Sequence, residues 1–353
     1  MKIEKVDLKD YQEIVKLNEK NNLISLEQAD WENLWTKNPI ILEKKVEWIK
    51  GWKLINENRE IEGLILNIPF EFKFKNERII AAVCNNYVLN KSKRSFSLKL
   101  RHLFLNQSNV NLYITNTANK KSEEIMLAFK AKRIIQYDYQ NRLIYILNKR
   151  KFLSKILSNL HLLLNLKNIK KLLKNKKEYE ITNISFQEYE DFSNIDDLEK
   201  INLNNFFSSK EKNWLNWKYN IYIKKKKLIT LRVFKDKVLI GVIIMIKNFH
   251  KKEKLDRLSI VEIIGFEKEQ SYLKESIKKC IFIGKKNKLD LIDVVGFKKE
   301  IRDVITNVGF VKRESLNFNF LVKNDNKMLD KIFFESCDEL NLSVSDGDGI
   351  FYY

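Results

Sequence analysis

An α/β chain of two similar halves, each a mostly antiparallel mixed sheet flanked by helices, is the architecture this sequence predicts. Three observations carry it. The length of 353 residues exceeds what one core fills well, since single cores stop growing near roughly 250 to 300 residues. The hydrophobic share of 44%, with 12% aromatic, supplies two cores and separates the chain from a disordered polymer. The third is a recurrence: the same order of strand-like and helix-like runs returns after about 180 residues, as an internal duplication would leave it.

The first half opens with a strand at Ile3 to Val6 and an amphipathic helix whose apolar stripe is Tyr11, Ile14, Val15 and Leu17. Ser25 and Gln28, three apart, predict a capped second helix that buries Trp31, Leu34 and Trp35 and ends at Pro39. After Gly51 come the three strands of a meander, Trp52 to Ile55, Ile61 to Ile68 and Arg78 to Leu89. A helix over Ser95 to Asn106, a strand over Val110 to Thr115, a helix over Ser122 to Phe129 and a strand pair over Arg133 to Leu147 complete it. The second half reads as a strand (Tyr179 to Ile184), a helical stretch (Asp197 to Tyr219), and strands at Leu228 to Phe234, Val238 to Ile246 and Arg257 to Phe266. Then follow a helix over Glu269 to Gly284, a strand over Leu289 to Val295, a helix over Glu300 to Val308 and a strand over Phe310 to Val322. The domains expected are 1–148 and 178–353, joined by 149–177.

That junction is a basic amphipathic pattern, since Asn148 to Lys177 holds ten Lys or Arg and no acid among evenly spaced leucines. Two readings stay open: a helix lying on an anionic membrane surface, or a linker packing its leucines on the two halves. The net charge of +20 invites a polyanion partner. Most of that charge is lysine, however, and specific phosphate recognition favours the forked arginine, so nucleic acid is not the expected partner. Cys84, Cys280 and Cys337 lie far apart, without metal spacing or a disulfide framework. Charges fill the segment MKIEKVDLKDYQ where a signal peptide needs an apolar run, and no stretch approaches the ~20 apolar residues of a membrane span. A cytoplasmic location is expected.

Tyr87-Val88-Leu89-Asn90, followed by Arg94-Ser95-Phe96-Ser97-Leu98-Lys99, resembles the strand end and loop by which the GNAT superfamily of N-acyltransferases binds acyl-CoA. In that family the donor lies where two neighbouring strands splay apart, and backbone N–H groups at a helix start meet its diphosphate. The family's loop is Arg or Gln, two variable residues, Gly, one variable, then Gly or Ala; here Ser95, Ser97 and Lys99 stand in the loop in place of its glycines. Asn116-Thr117-Ala118-Asn119 resembles the next strand and its asparagine turn, and Gly309-Phe310 the family's ending. The tyrosine that protonates the leaving thiolate maps to Met126 in the first half and Ile305 in the second. The resemblance implies two GNAT-like domains and acetyl-CoA or another acyl-CoA held by Val88, Leu89, Arg94, Ser95, Ser97, Lys99 and Asn119. It is similar in arrangement to tandem-GNAT proteins found with bacterial surface-polysaccharide genes, which implies an amino sugar or similar amine as acceptor. In the second half, Glu267 and Glu269 would repel phosphate, so the first half is the expected donor site.

Amine acylation needs a base, N–H groups to polarise the thioester and alignment of the reactants. Glu262, inside the apolar run Ile260-Val261-Glu262-Ile263, is one candidate base: burial would raise its pKa, although an ion pair would serve structure instead. Asp346 and Asp348, around Gly347, are the others, or else ordinary turn residues. His102, His161 and His250 stand alone, and no metal is expected. Two further classes compete. A Fem-like tRNA-dependent aminoacyltransferase predicts salt-sensitive tRNA binding, and a non-catalytic scaffold predicts no acylated product.

Overall fold

The computed structural model describes residues 1–44, 47–74, 77–134, 141–158, 183–193, 198, 201, 207–251, 253–266, 270–313, 319–324, 327–334 and 340–352. The expected strand before Ile184, most of the basic junction, His161, Cys337, Glu267 and Glu269 lie outside these residues.

Two sheets organise the chain. The first has eight strands: β1 (Lys2–Lys5), β2 (Gly51–Ile55), β3 (Ile61–Phe74), β4 (Glu77–Leu89), β5 (Leu112–Ala118), β6 (Lys132–Arg133), β9 (Phe207–Ser208) and β15 (Asn319–Asn324), in the order β1-β2-β3-β4-β5-β15-β6 with β9 beside β3. The second has seven: β7 (Arg142–Ile146), β8 (Ile184–Tyr189), β10 (Leu228–Lys235), β11 (Val238–His250), β12 (Leu255–Gly265), β13 (Leu291–Val294) and β14 (Val311–Arg313), in the order β14-β7-β13-β12-β11-β10-β8. Each sheet is antiparallel except for one pair, β4 with β5 and β12 with β13. The architecture is therefore the mixed α/β one the sequence predicts.

The helices are α1 (Tyr11–Lys20), α2 (Gln28–Thr36), α3 (Pro39–Lys44), α4 (Ser97–Phe104), α5 (Lys120–Ala128), α6 (Lys149–Ser158), α7 (Lys212–Lys224), α8 (Gln270–Lys286), α9 (Lys299–Val308) and α10 (Lys327–Phe334). One apolar core, with Phe70, Phe72, Trp214, Trp217, Tyr219, Ile244 and Phe351, draws on both sheets together with α1, α2 and α7. A second lies under α8 and α9 on the outer face of the second sheet, and a third under α4 and α5 on the outer face of the first. Trp217 donates from Nε1 to the Asn33 carbonyl at 2.9 Å, tying α7 to α2.

Several expectations are corrected. Ser25 does not cap α2; its hydroxyl accepts from Asn18 Nδ2 at 2.9 Å, and Glu27 stands at the cap position with its carboxylate turned to Lys225 and no capping bond to the helix. Pro39 begins α3, because at a first helical position its missing N–H costs nothing. Within the helical stretch expected over Asp197 to Tyr219, Phe207 and Ser208 form β9 instead, and α7 starts at Lys212. The helix expected from Ser95 starts at Ser97, after a 3-10 turn over Lys91–Phe96.

The largest difference concerns the two closing strand runs. The run to Leu147 does not close the first sheet as a pair: β6 stays there, and β7 crosses to β13 with Leu291 opposite Ile146 and Val294 opposite Leu143. Phe310 to Val322 likewise splits, leaving β14 beside β7 while β15 crosses to β5. Arg142 on β7 lies 3.5 Å from Asp293 on β13, and Arg302 of α9 donates to the Asn141 carbonyl at 2.9 Å, so side chains hold the exchange as well as the ladder.

Candidate functional site

β4 and β5 pair only from Ala81 opposite Leu112 to Val83 opposite Ile114, and then part. Beyond that point β4 carries a bulge against β3, where Asn86 takes a left-handed φ of 48°. β5 runs on beside β15 instead. The result is a notch between the two strands, and a C-terminal turn enters it from the side of the shared core. Of two 3-10 turns, Asp348–Tyr352 packs against β4 and β5, while Val344–Asp346 packs against β12 and is tied to β5 by the bond from Asn116 Nδ2 to the Val344 carbonyl at 3.3 Å. Gly347 between them is required by proximity, because a Cβ there would sit 2.3 to 2.4 Å from the Asn116 side chain.

This turn delivers Asp348. Its buried carboxylate accepts from the Thr117 hydroxyl at 3.0 Å and from Asn85 Nδ2 at 3.4 Å, and no cation among the described residues pairs with it. Burial pushes its pKa up to about 7, against the lowering effect of those two bonds. Asn85 also hydrogen-bonds the Tyr352 hydroxyl, with Nδ2 to Oη at 2.9 Å, and burial raises that phenol above its ordinary range.

On the opposite face, under α4 and α5, the same notch is lined by Cys84 and Tyr87 of β4, Arg101 of α4 and Ser122 of α5. Arg101 is fully buried. The expected donor-binding residues surround this end unevenly. Val88 is buried and Leu89 half-buried at the end of β4, while Arg94, Ser95 and Lys99 are exposed at the turn into α4. Ser97, the first residue of α4, is half-buried and its carbonyl receives the Tyr87 hydroxyl at 3.1 Å. Asn119 caps α5, accepting from the Ser122 backbone N–H at 3.0 Å. Met126 is wholly buried in the core beneath α5, and Ile305 in the core beneath α9.

The second sheet has its own notch. β12 and β13 pair from Arg257 opposite Leu291 to Ile260 opposite Val294, then part, and a bulge follows in β12. Glu262 lies there, buried, accepting from Tyr219 Oη at 2.7 Å, from Lys218 Nζ at 3.3 Å and from Lys210. Lys218 also reaches Ser345 Oγ at 3.2 Å and Ser208 Oγ at 3.3 Å. Burial alone would raise Glu262, as the sequence reading expects, but Lys210 and Lys218 outweigh it and hold the carboxyl at about 2. Asp346 closes the same cluster. Its Oδ1 accepts from Ser208 Oγ at 2.6 Å and its Oδ2 from the Ser343 backbone N–H at 2.7 Å, completing a capping box.

The structure thus separates the three candidate carboxylates. Asp348 stands in the first notch without a cation, while Glu262 and Asp346 belong to a saturated network at the second. Asn85, Arg101 and Lys210 were not singled out by sequence, and Thr117 entered only within the Asn116-Thr117-Ala118-Asn119 resemblance, with no role in holding a carboxylate. Arg101 had a legible signal: with Ser97, Leu100 and Phe104 it falls on the inward stripe of a helix, where a charge is anomalous.

No protein-family model matches the sequence, and no curated protein is significantly similar to it. Solved structures are similar in fold. A protein of Enterococcus faecalis V583 described as a probable N-acyltransferase superposes with a TM-score of 0.57 at 10% identity, over 92% of this chain and 72% of that one. N-myristoyltransferase of Saccharomyces cerevisiae with bound myristoyl-CoA gives 0.51 at 10% identity, over 92% of this chain and 78% of that one. The same enzyme with myristoyl-CoA and inhibitors gives 0.51 at 9% identity, over 98% and 86%. The chain shares the GNAT-like fold of these structures.

Proposed function

We propose that the protein is an N-acyltransferase that takes an acyl group from acyl-CoA in the first notch and passes it to an amine, with Asp348 as the base. The observation that carries this is a buried, cation-free carboxylate held near neutrality where β4 and β5 part. Such a group accepts a proton at physiological pH and is worth about 10²- to 10⁴-fold in rate when placed on the reacting amine. The fold, shared with an N-myristoyltransferase crystallised with myristoyl-CoA, supports the donor class.

In this reading Asp348 removes the proton from the acceptor ammonium, and the amine attacks the thioester carbonyl. The tetrahedral intermediate then collapses with loss of the CoA thiolate. The Tyr352 hydroxyl, tied to Asn85 and kept protonated by burial, is the group placed to return a proton to that thiolate. It takes over the work that Met126 cannot perform. Val88, Leu89 and Ser97 line the donor path, with Arg94, Ser95, Lys99 and Asn119 around its outer end. Glu262 and Asp346 hold the second half and the C-terminal turn in register.

The acceptor we favour is a small amine such as an amino sugar, used in cell-envelope glycan synthesis, because the tandem arrangement resembles proteins from that setting. We place the reaction in the cytoplasm, where acyl-CoA is made, with residues 149–177 joining domains 1–148 and 178–353 and offering basic contacts to an anionic membrane. Among the described residues no helix is long and apolar enough to cross a membrane. Incubation with acetyl-CoA and a panel of amines that includes nucleotide-linked amino sugars, followed by thiol release, tests the proposal. Asp348→Asn should cut the rate about 10²- to 10⁴-fold. An undiminished rate in that variant removes Asp348 as base.

A further inference from the structure

The second sheet ends, away from its notch, in a surface that is basic and apolar at once. Asp290, buried at the turn from α8 into β13, holds three segments together there. Its carbonyl accepts from the backbone N–H groups of Leu147 and Asn148 at 2.9 and 3.0 Å. Its Oδ2 accepts from the Asp256 N–H at 2.8 Å and pairs with Lys151 Nζ at 2.6 Å. The start of α6, the β11–β12 hairpin and the last turn of α8 therefore lie side by side. Leu147 closes the gap to α8, so near Gly284 that a Cβ there would meet its Cδ1 at 2.7 Å.

Two phenylalanines stand out of this end. Phe249 lies opposite Asp256, and by strand alternation both share the face of Leu258 and Ile260, which α8 covers further along. It is 53% exposed; Phe282, one turn before the end of α8, is 56% exposed, with Lys279 Nζ 4.9 Å from its ring centroid. Beside them Arg150, Lys251, Lys254, Lys285 and Lys288 are exposed, and none of these forms an ion pair among the described residues. The nearby acids are already engaged: Asp256 and Asp290 with Lys151, Glu253 with Arg257 and Arg313, Glu188 with Lys279 and Lys286. The helix that leaves this end, α6, reads KRKFLSKILS, basic and apolar with no acid.

A single exposed ring is ordinary on a protein surface. Rings set among unpaired lysines fit the boundary of an anionic bilayer, where apolar groups enter the headgroup layer and lysine stems lie along it with their ammonium groups on lipid phosphates. Nucleic acid fits less well, because readers of phosphodiester chains lean on the arginine fork and this surface sets one arginine among four lysines. We infer that this end of the second sheet docks on an anionic lipid surface, with Phe249 and Phe282 in the headgroup layer. It is a surface of the folded second half, to which the basic junction adds only its first turn, and it does not rest on the acyl-transfer reading. Glu262 lies six residues along β12 from Asp256, about 20 Å at a strand's rise. Since the Val344–Asp346 turn packs on β12 from the Glu262 side, a membrane at the opposite end leaves the C-terminal turn and the first notch uncovered.

Co-sedimentation of the full chain with vesicles of about one-third phosphatidylserine in phosphatidylcholine, and with phosphatidylcholine alone, tests this beside a gel shift with tRNA. One variant combines Lys251→Gln, Lys254→Gln, Lys285→Gln and Lys288→Gln; the other combines Phe249→Ser and Phe282→Ser. The wild type should bind the anionic vesicles, less tightly as salt rises, and leave the neutral ones alone. The lysine variant should lose about 100-fold in affinity or more, since each cation near such a surface is worth about fivefold. The phenylalanine variant should lose about 10-fold, a loss that persists at high salt. All six positions are exposed, so melting temperature and turnover on a soluble amine should stay at wild-type values, which separates failure of the docking surface from failure of the acyl-transfer reading. Wild-type protein that ignores anionic vesicles, or either variant binding them as tightly as the wild type, overturns the inference. Binding of tRNA that the lysine changes abolish, without binding of vesicles, gives the surface to nucleic acid and overturns it as well.

Discussion

Each sheet parts its one parallel pair just before a bulge, and the two gaps are filled in opposite ways. At the second, Glu262 meets Lys210, Lys218 and Tyr219, and its carboxyl is held at about 2. At the first, Asp348 meets only the neutral donors of Thr117 and Asn85 and rises to about 7, while Arg101 on the far side has no acid. The same gap in the same topology is electrostatically closed in one sheet and incomplete in the other. Completed networks rigidify; incomplete ones await a ligand or a proton. On this difference we read the second notch as a fastening and propose the first as the site.

The comparison breaks most readily at its charges. Asp348→Asn should abolish most acyl transfer yet leave a folded protein, since asparagine keeps an oxygen for the Thr117 hydroxyl. Glu262→Gln should do the reverse, leaving buried Lys218 and half-buried Lys210 without their carboxylate and lowering stability by about 3–5 kcal/mol. Denaturant unfolding of both variants beside their turnover numbers reads the contrast directly. A Glu262→Gln protein as stable as the wild type but inactive would exchange the roles of the two notches.

Titration sharpens the same contrast, because the two carboxylates bear on stability with opposite sign. Glu262 has a depressed folded pKa, so its contribution is complete above about pH 4.5 and is lost as pH falls toward 2. Asp348 has a raised one, so folding is favoured most below its ordinary 3.8 and loses a few kcal/mol as pH climbs to about 7. Asp348→Asn should therefore gain stability over the wild type between pH 4 and 7 and hold that gain above. A gap that does not change between pH 5 and 8 would mean that Asp348 is not buried in isolation. Catalysis should follow the same group, rising through pH 7 as the base ionises.

The sequence disclosed the two meanders and the two odd carboxylates for a shared reason: both are local. β2 to β4 and β10 to β12 are apolar runs broken by turn residues, Glu262 is a charge inside an apolar run, and Asp348 flanks a turn glycine. The strand exchange was not legible, since β7 (RLIYI) and β15 (NFLVKN) are short apolar segments whose pattern says nothing about which sheet receives them. Charge partners were not legible either. Lys210 and Glu262 are 52 residues apart, and Thr117 and Asp348 are 231 apart. A buried acid could therefore be located by pattern, while the sign of its pKa shift depended on neighbours that only the fold supplies.

Smaller changes test whether the first notch depends on the close fit of its turn. Gly347→Ala places a methyl against the Asn116 side chain, at 2.3 to 2.4 Å before relaxation. The turn must then withdraw or Asn116 must give up its 3.3 Å bond to the Val344 carbonyl. Overpacking of this kind costs about 1–3 kcal/mol, and because the displaced residue neighbours Asp348, turnover should fall further than stability does. Asn119→Ala supplies the control at the other wall of the notch, removing the α5 cap for about 1 kcal/mol. It touches neither Asp348 nor its partners, so melting temperature should drop and, with Asn119 at the outer end of the donor path, the KM for acyl-CoA should rise, while turnover at saturating donor changes little. Equal losses of turnover in the two variants would show that general loosening of the notch, and not the position of the carboxylate, limits the reaction.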